Sequence, residues 1–214
     1  MRVFVIGASG NVGRLAVSAL KKAGEDVMAG VHRQEQATEL QQAGFQAEIF
    51  DLLKQPEALA KQLHDYDAIV FSAGSGGKTG DDMTLLVDLD GAVKSMQAAE
   101  IAGIKRFVMV SALFAEERKK WFSIKPYYAA KFYADEWLRY RTSLDYTILE
   151  PGALTFDRPT GKVTTDIPEN GGSISRSDVA AAIVTSLHDS SSIGKIIPLI
   201  SGNEPIGDAI AGAE

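Results

Sequence analysis

The sequence of 214 residues contains no cysteine. That absence excludes disulfide bonds, thiolate metal ligands and thiol nucleophiles, and it suits a protein of the cytosol. Histidine is also scarce, because only His32, His64 and His188 occur. These three are far apart in the predicted order of elements and lack the spacing of metal ligands, so we expect no metal site.

Long apolar runs and an excess of positive charge are missing as well. No apolar run approaches the roughly 18 residues that a membrane span needs. The run at residues 3–6 ends at Gly7 and is too short for a signal peptide. The formal net charge of −6 disfavours binding to nucleic acid or to anionic membranes. We therefore expect a cytoplasmic protein whose partner is a small molecule.

Short β-rich runs alternate with helical patterns along most of the chain. Strands are predicted at residues 2–6, 27–31, 46–50, 68–71, 106–110 and 146–149, and helices at 12–23, 34–43, 57–63, 83–102 and 126–141. Strands separated by single helices imply right-handed crossovers and a parallel sheet that is covered on both faces. The sequence therefore predicts one α/β domain over residues 1–214 with a doubly wound parallel sheet.

The last third of the chain is less regular. Glycine and proline mark loops at residues 151–152, 159–161 and 170–172, before a helix to about residue 187, a strand at 195–200 and a short final helix. We expect residues 153–175 to form loops on the substrate side, as a small C-terminal appendage to the sheet. Ligands of such folds bind beyond the carboxyl ends of the strands, so the loops after residues 6, 31, 71, 110 and 150 should meet at one cleft.

A glycine-rich turn follows the first predicted strand. It runs Gly7, Ala8, Ser9, Gly10, Asn11, Val12, Gly13, with glycine at every third position. Such a turn lets backbone N–H groups approach a pyrophosphate at the helix N-terminus. The spacing differs from the G-x-G-x-x-G dinucleotide fingerprint in its first step, and a turn that binds nothing is the alternative.

The end of the second predicted strand bears on the choice of cofactor. An acidic residue there accepts the ribose hydroxyls of NAD, whereas arginine accommodates the extra phosphate of NADP. Here His32 and Arg33 occupy this position. We therefore expect NADP rather than NAD, with Arg33 as the main anion contact and Arg14 as a second. The alternative is that Arg33 is a solvated charge beside Glu35.

Two further loops are candidates for cofactor contacts. Asp51 and Leu52 follow the third strand and are expected to flank the adenine, although Asp51 is equally suited to cap the helix that begins near residue 56. After the fourth strand, the small residues Ser72, Ala73 and Gly74 allow a cofactor to lie against the backbone. The rest of that loop, residues 75–80, is expected to make no ligand contacts.

Three polar residues suggest acid/base chemistry. Ser111 follows the fifth predicted strand, while Tyr127 and Lys131 are four residues apart and share one face of a predicted helix. An ammonium near a phenol favours the ionised phenol, so we expect Lys131 to lower the pKa of Tyr127. Tyr127 would then exchange a proton with the substrate oxygen, and Ser111 would hydrogen-bond that oxygen. By itself, a Tyr-x-x-x-Lys pair is more often a surface pair.

Taken in this order, the motifs resemble the short-chain dehydrogenase/reductase superfamily, and more closely its atypical NAD(P)H-binding members of about this length. The resemblance covers roughly residues 1–200 and implies a Rossmann fold with Ser111, Tyr127 and Lys131 at the active site. It further implies that Lys131 bonds the nicotinamide ribose and that the turn at Pro151 and Gly152 passes the nicotinamide.

Two positions depart from the pattern of the superfamily. Glu150 stands where relatives often carry arginine, and Asp88 stands where longer-chain relatives often carry asparagine.

The sequence thus favours an NADP-dependent reductase or dehydrogenase of a small carbonyl, quinone-like or conjugated substrate. A non-catalytic NADP(H)-binding sensor is the alternative, and a sugar-nucleotide epimerase is disfavoured because the C-terminal region is short. Trp121, Phe122 and Tyr128 are equally suited to line the substrate cleft or to pack in the core. Monomer and homodimer both remain open, since residues 83–102 show no obvious exposed apolar stripe.

Overall fold

The structure is a computed structural model that describes residues 1–77, 79–121 and 124–213. Its strands are β1 Arg2–Ile6, β2 Asp26–Val31, β3 Gln46–Ile49, β4 Ala68–Phe71, β5 Arg106–Val110, β6 Asp145–Pro151, β7 Ala153–Thr155, β8 Lys162–Thr164, β9 Ser173–Ser175, β10 Lys195–Ser201 and β11 Glu204–Pro205. Its α-helices are α1 Asn11–Lys22, α2 Gln34–Gln42, α3 Pro56–Leu63, α4 Asp81–Met83, α5 Ala92–Ile101, α6 Lys125–Arg141, α7 Arg176–His188 and α8 Ile206–Ala211.

One large sheet organises the fold, with strand order β11-β8-β10-β6-β5-β4-β1-β2-β3. From β3 to β10 all neighbouring strands are parallel, while β8 and β11 add antiparallel pairs at one edge. The order turns at the β1–β4 boundary, which is where ligands bind in doubly wound sheets. The predicted doubly wound α/β fold is confirmed.

Helices cover both faces of this sheet, because alternate residues of each buried strand point to opposite sides. Val3 and Val5 of β1 belong to a core that includes residues of α1, α2 and α7. Phe4 and Ile6 belong to a second core that includes residues of α3, α5 and α6. A strand that is covered on both faces needs apolar residues at successive positions, and β1 has them at residues 3–6.

The last third contains more strand than the sequence predicts. Residues 153–175, expected to be loops, include β7, β8 and β9, and β7 pairs with β9 in a separate two-stranded sheet. Each of these strands has three residues, which is too short for a periodic pattern to be recognised. Their pairing depends on partners that are distant in the sequence.

The predicted helix at 83–102 is also interrupted. Thr84–Gly91 forms a π-helical segment between α4 and α5, and such wide turns often occur at functional sites. Contrary to the sequence analysis, this segment does expose apolar side chains, since Leu85 and Leu86 are 56% and 40% accessible.

Among the described residues, no helix has both the length and the apolar character to cross a membrane.

Candidate functional site

The glycine turn between β1 and α1 is shaped by two close backbone approaches. Gly7 has φ of +82°, and a Cβ at this position would lie 2.6 Å from the Cα of Ala73. The N–H groups of Gly7 and Ala8 both donate to the carbonyl of Gly30 at 3.1 Å. Only glycine combines this left-handed conformation with contact to the loop after β4.

The second approach brings α1 onto the turn. A Cβ on Gly13 would lie 2.3 Å from the carbonyl oxygen of Gly7. Gly10 precedes α1 without a side-chain cap, and the first turn of the helix has no acidic residue. The N–H groups of this first turn are therefore free of a competing carboxylate, and the helix dipole favours an anion there.

A cleft of about 700 Å³ begins at this helix terminus. The predicted residues that line it are Gly10, Asn11, Val12, Ser72, Ala73, Gly74, Ser111, Tyr127 and Lys131. The loop after β4 also contributes Ser75, Gly76, Gly77 and Thr79, whereas we expected no ligand contacts from it; Lys78 lies outside the described residues. The structure thus brings the predicted pyrophosphate turn and the predicted catalytic residues to one cleft.

The other predicted cofactor residues do not line this cleft. They are Gly7, Ala8, Ser9, Gly13, His32, Arg33, Asp51, Leu52, Pro151 and Gly152. Gly7 and Gly13 determine the shape of the turn through the close backbone contacts described above, without lining the cleft. Ala8 is buried in the core and Ser9 is half-buried in the same turn. The remaining six positions form three pairs with different surroundings.

His32 and Arg33 are exposed at the carboxyl end of β2. Arg33 is the residue before α2, and its backbone N–H donates to the side chain of Gln36 at 3.2 Å. Within the described ranges the Arg33 guanidinium forms no ion pair, so the alternative pairing with Glu35 is not found. Arg14, the expected second anion contact, instead pairs with Glu39 at 3.2 Å.

Asp51 and Leu52 differ from the expectation in two respects. Leu52 is buried in the core, where its side chain would lie 3.2 Å from a Cβ on Gly91. Asp51 accepts a hydrogen bond from the N–H of Leu53 at 3.0 Å. It does not cap α3, because Gln55 is the residue that precedes this helix.

Pro151 and Gly152 join β6 to β7 at the sheet rather than at the cleft. The carbonyl of Pro151 accepts from the N–H of Leu113 at 3.0 Å, and the N–H of Gly152 donates to the carbonyl of Leu199 at 2.9 Å. The backbone here is thus committed to neighbouring strands and loops.

Lys131 is the most deeply buried cation at the site. It is 3% accessible, donates to the carbonyl of Val110 at 3.2 Å and lies 3.9 Å from the Oδ1 of Asp88. Its Nζ is 5.8 Å from the ring centroid of Tyr127. The ammonium is therefore shared between Asp88, a carbonyl and the phenol ring.

This arrangement changes the expected electrostatics of Tyr127. Burial raises the pKa of Tyr127, and the negative charges of Asp88 and Asp135 raise it further. The pKa is thus raised and not lowered as predicted from Lys131, and burial is the largest cause. These surroundings therefore favour the neutral phenol of Tyr127 over the phenolate.

Sequence reasoning underestimated Asp88 and missed Arg176. The Oδ2 of Asp88 accepts from the N–H of Ser75 at 2.9 Å, which ties the π-helical segment to the loop after β4. Arg176 lines the cleft, donates to the carbonyl of Leu154 at 3.0 Å and lies 4.0 Å from the centroid of the Phe156 ring. Arg176 lies at the cleft because it follows directly after the end of β9. The sequence has no pattern that predicts this strand.

Of the three aromatic residues considered for the substrate cleft, Trp121 lies before α6 and Tyr128 lies in its first turns. The indole N–H of Trp121 donates to the carbonyls of Phe114 and Ala115 at 3.2 and 3.0 Å. Its ring stacks on Tyr128 at 6.2 Å. Neither Trp121 nor Tyr128 lines the cleft, which favours the packing alternative, and Phe122 lies outside the described residues.

Comparison with known proteins agrees with this geometry. Residues 7–190 match a family described as NAD(P)H-binding. A Bacillus subtilis protein named uncharacterized sugar epimerase YhfK is 45% identical over 212 residues, covering 98% of this chain and 99% of its own. The crystal structure of the oxidoreductase ylbE from Lactococcus lactis is 40% identical with a TM-score of 0.88, covering 98% of this chain and 95% of that one.

A more distant structure shows the fold alone. Yeast methylglyoxal/isovaleraldehyde reductase Gre2, complexed with NADPH, has a TM-score of 0.73 at 19% identity, covering 94% of this chain and 78% of Gre2. The family match nevertheless spans most of the sequence, and its residues include the glycine turn and the cleft. The chain therefore belongs to the NAD(P)H-binding family of atypical short-chain dehydrogenases/reductases, with a Rossmann-like fold.

Proposed function

We propose that this protein is an NADP-dependent reductase of small carbonyl, quinone-like or conjugated substrates. The observation that carries the proposal is the meeting of Ser111, Tyr127 and Lys131 in one cleft with the N-terminus of α1. A dinucleotide whose pyrophosphate was held at this terminus would extend its nicotinamide end along the cleft toward the three side chains. A tight turn in which a Cβ on Gly7 or Gly13 would meet backbone atoms fits that ligand.

The protonation of Tyr127 supports reduction as the direction of the reaction. When bound, NADPH supplies the hydride. Tyr127, kept neutral by burial and by Asp88, donates its proton to the substrate oxygen as negative charge develops there. The Lys131 ammonium, 5.8 Å from the centroid of the Tyr127 ring, would favour the phenolate that remains, and it would also hold the ribose hydroxyls of the cofactor.

Arg33 supports the choice of NADP over NAD. Replacing Arg33 by alanine should weaken NADPH binding by roughly 10–150-fold, since one charge-assisted hydrogen bond contributes about 1.5–3 kcal/mol. NADH binding should be almost unchanged, because NADH has no 2′-phosphate. Fluorescence titration of the wild-type and variant proteins with both nucleotides measures the difference.

Arg14→Ala is the matched control, since the Arg14 guanidinium is already paired with Glu39. It should weaken NADPH binding much less than Arg33→Ala. Equal NADPH affinity in wild type and Arg33→Ala would contradict the NADP assignment, and stronger binding of NADH than NADPH by the wild type would reverse it.

Two other functions are consistent with the family. A non-catalytic sensor would bind NADP(H) but has no need for Ser111, Tyr127 and Lys131 at the cleft. An epimerase is suggested by the name of the Bacillus subtilis relative, although the region after β6, residues 152–214, is short for the recognition of a sugar nucleotide. Net consumption of NADPH separates the reductase from both, because a sensor does not react and an epimerase regenerates its cofactor.

A further inference from the structure

Two acidic residues lie buried behind Ser111, on the side away from the cleft. Asp135 of α6 is 1% accessible and Glu150 of β6 is 6% accessible. Met109 of β5 pairs with Ile148 of β6 in the sheet, so Ser111 and Glu150, two residues further along, point to the same face. That face is covered by α6, which places Asp135, Ser111 and Glu150 in one buried polar cluster.

Hydrogen bonding within this cluster is incomplete. The Ser111 hydroxyl and the Oδ2 of Asp135 form a short hydrogen bond. Among the described residues, neither the Oδ1 of Asp135 nor the Oε1 of Glu150 has a hydrogen-bond partner. A buried carboxylate without partners is costly, whereas a protonated acid avoids most of that cost.

Within the described part of the chain, no nearby cation is committed to the two carboxyl groups. The charged side chains that face them are Lys131, Arg139, Glu116 and Glu117, and the phenols of Tyr127 and Tyr128 face them as well. Lys131 is engaged by Val110 and Asp88, and Arg139 contacts Glu116 and Glu136. The surroundings therefore leave two carboxyl groups close together with little positive charge to stabilise both as anions.

The electrostatics follow from this geometry. Burial raises the pKa of Asp135 to about 7, against the opposing effects of the Ser111 hydrogen bond and Lys131. Burial and the charge of Asp135 raise the pKa of Glu150 to about 9. Two interacting acids lose their protons in two steps, and each step is a property of the pair rather than of one residue.

We propose that proton exchange at the buried Asp135–Glu150 pair sets the direction of the Ser111 hydroxyl, an inference that rests on the proposed function for its effect on catalysis. When Asp135 carries a proton, it donates to the Oγ of Ser111, which frees the Ser111 hydrogen to bond the substrate oxygen. When Asp135 is ionised, it accepts that hydrogen and withdraws it from the cleft. Asp135 and Glu150 are thus positioning residues that act through Ser111.

The first test is the pH profile of kcat/KM for the acceptor, with menadione or benzaldehyde as probe at saturating NADPH. In the wild type, kcat/KM should fall with rising pH by up to about tenfold per pH unit once Asp135 ionises. Tyr127 does not cause this fall, because its own pKa is raised far above neutrality. Asp135→Asn should flatten the fall, since an amide N–H donates to Ser111 at every pH. Glu136→Gln, at the half-buried acid next to Asp135 in α6, should retain the fall.

The second test needs neither cofactor nor substrate. NMR titration of protein labelled with ¹³C at the Asp and Glu carboxyl carbons should show two acids that ionise well above the ordinary range. Asp135→Asn should remove one of them and lower the pKa of the other, because Glu150 then loses its negative neighbour. Ordinary acidic pKa values for both groups would overturn the proposal even if the reductase is active. An unchanged alkaline fall in Asp135→Asn would overturn it as well.

A stability measurement with Glu150→Gln gives an independent check should Asp135→Asn fail to fold. An acid whose pKa is raised by folding binds its proton more tightly in the native state, so wild-type stability should fall as pH rises from about 4.3, the ordinary value for Glu, toward 9, the pKa in the folded protein. Glu150→Gln should reduce this fall in Tm. The same pH dependence of Tm in both proteins would contradict a protonated Glu150.

Discussion

Replacing Tyr127 by phenylalanine should lower kcat for NADPH-dependent reduction by about 10²–10⁴-fold, which is the usual contribution of a positioned proton donor. The substitution removes only the hydroxyl and keeps the ring that lies beside Lys131. NADPH affinity should be unchanged, because the ring still fills its part of the cleft. Steady-state rates and a nucleotide titration on the same preparation measure the two quantities separately.

Tyr128→Phe is the matched control for this experiment. Tyr128 is the next residue of α6, but it stacks on Trp121 and does not line the cleft. Its turnover should therefore stay close to that of the wild type. A Tyr127→Phe protein with full turnover would remove Tyr127 from the role of proton donor.

Alanine at Gly13 should abolish most NADPH binding and lower stability by about 1–3 kcal/mol, the usual cost of overpacking. The new Cβ would lie 2.3 Å from the carbonyl oxygen of Gly7 and 2.9 Å from its carbonyl carbon. Both atoms are backbone, so α1 has to move away from the glycine turn. That movement displaces the N–H groups that would hold the pyrophosphate.

Gly207→Ala is the control for the effect of adding a methyl group as such. Gly207 is in α8, and a Cβ there meets no atom within 4 Å. Its melting temperature and NADPH affinity should match or slightly exceed those of the wild type, since alanine favours a helix. NADPH binding by Gly13→Ala at wild-type strength would show that the turn does not hold the cofactor.

The parallel sheet and its main helices could be predicted because their patterns are local. β1, β4 and β5 begin and end where the sequence predicts, since buried parallel strands are continuous apolar runs bounded by turn residues. The π-helical segment could not be predicted, because its apolar residues recur much as they do in an α-helix. The sequence does not predict β7 and β9 for a different reason. Three residues are too few to show a periodic pattern, and the two strands form by pairing with each other.

The residues of the site also divide into those that local patterns predict and those that depend on the three-dimensional structure. Ser111, Tyr127 and Lys131 follow from their places in a strand and a helix, and Asp135 continues the same helix face four residues after Lys131, a signal that could have been used. Glu150 was recognised as unusual, but its burial beside Asp135 depends on the register of β5 against β6. The position of Arg176 at the cleft depends on β9, which the sequence does not predict, and no local sequence pattern indicates this position.

The most direct test of the proposed function is whether the purified wild-type protein consumes NADPH in the presence of small aldehydes, ketones and quinones, with no partner protein added. The proposal predicts a steady loss of NADPH absorbance with at least one acceptor and little or none with Tyr127→Phe. Tight binding of NADPH without consumption by any acceptor would contradict it and would favour the sensor.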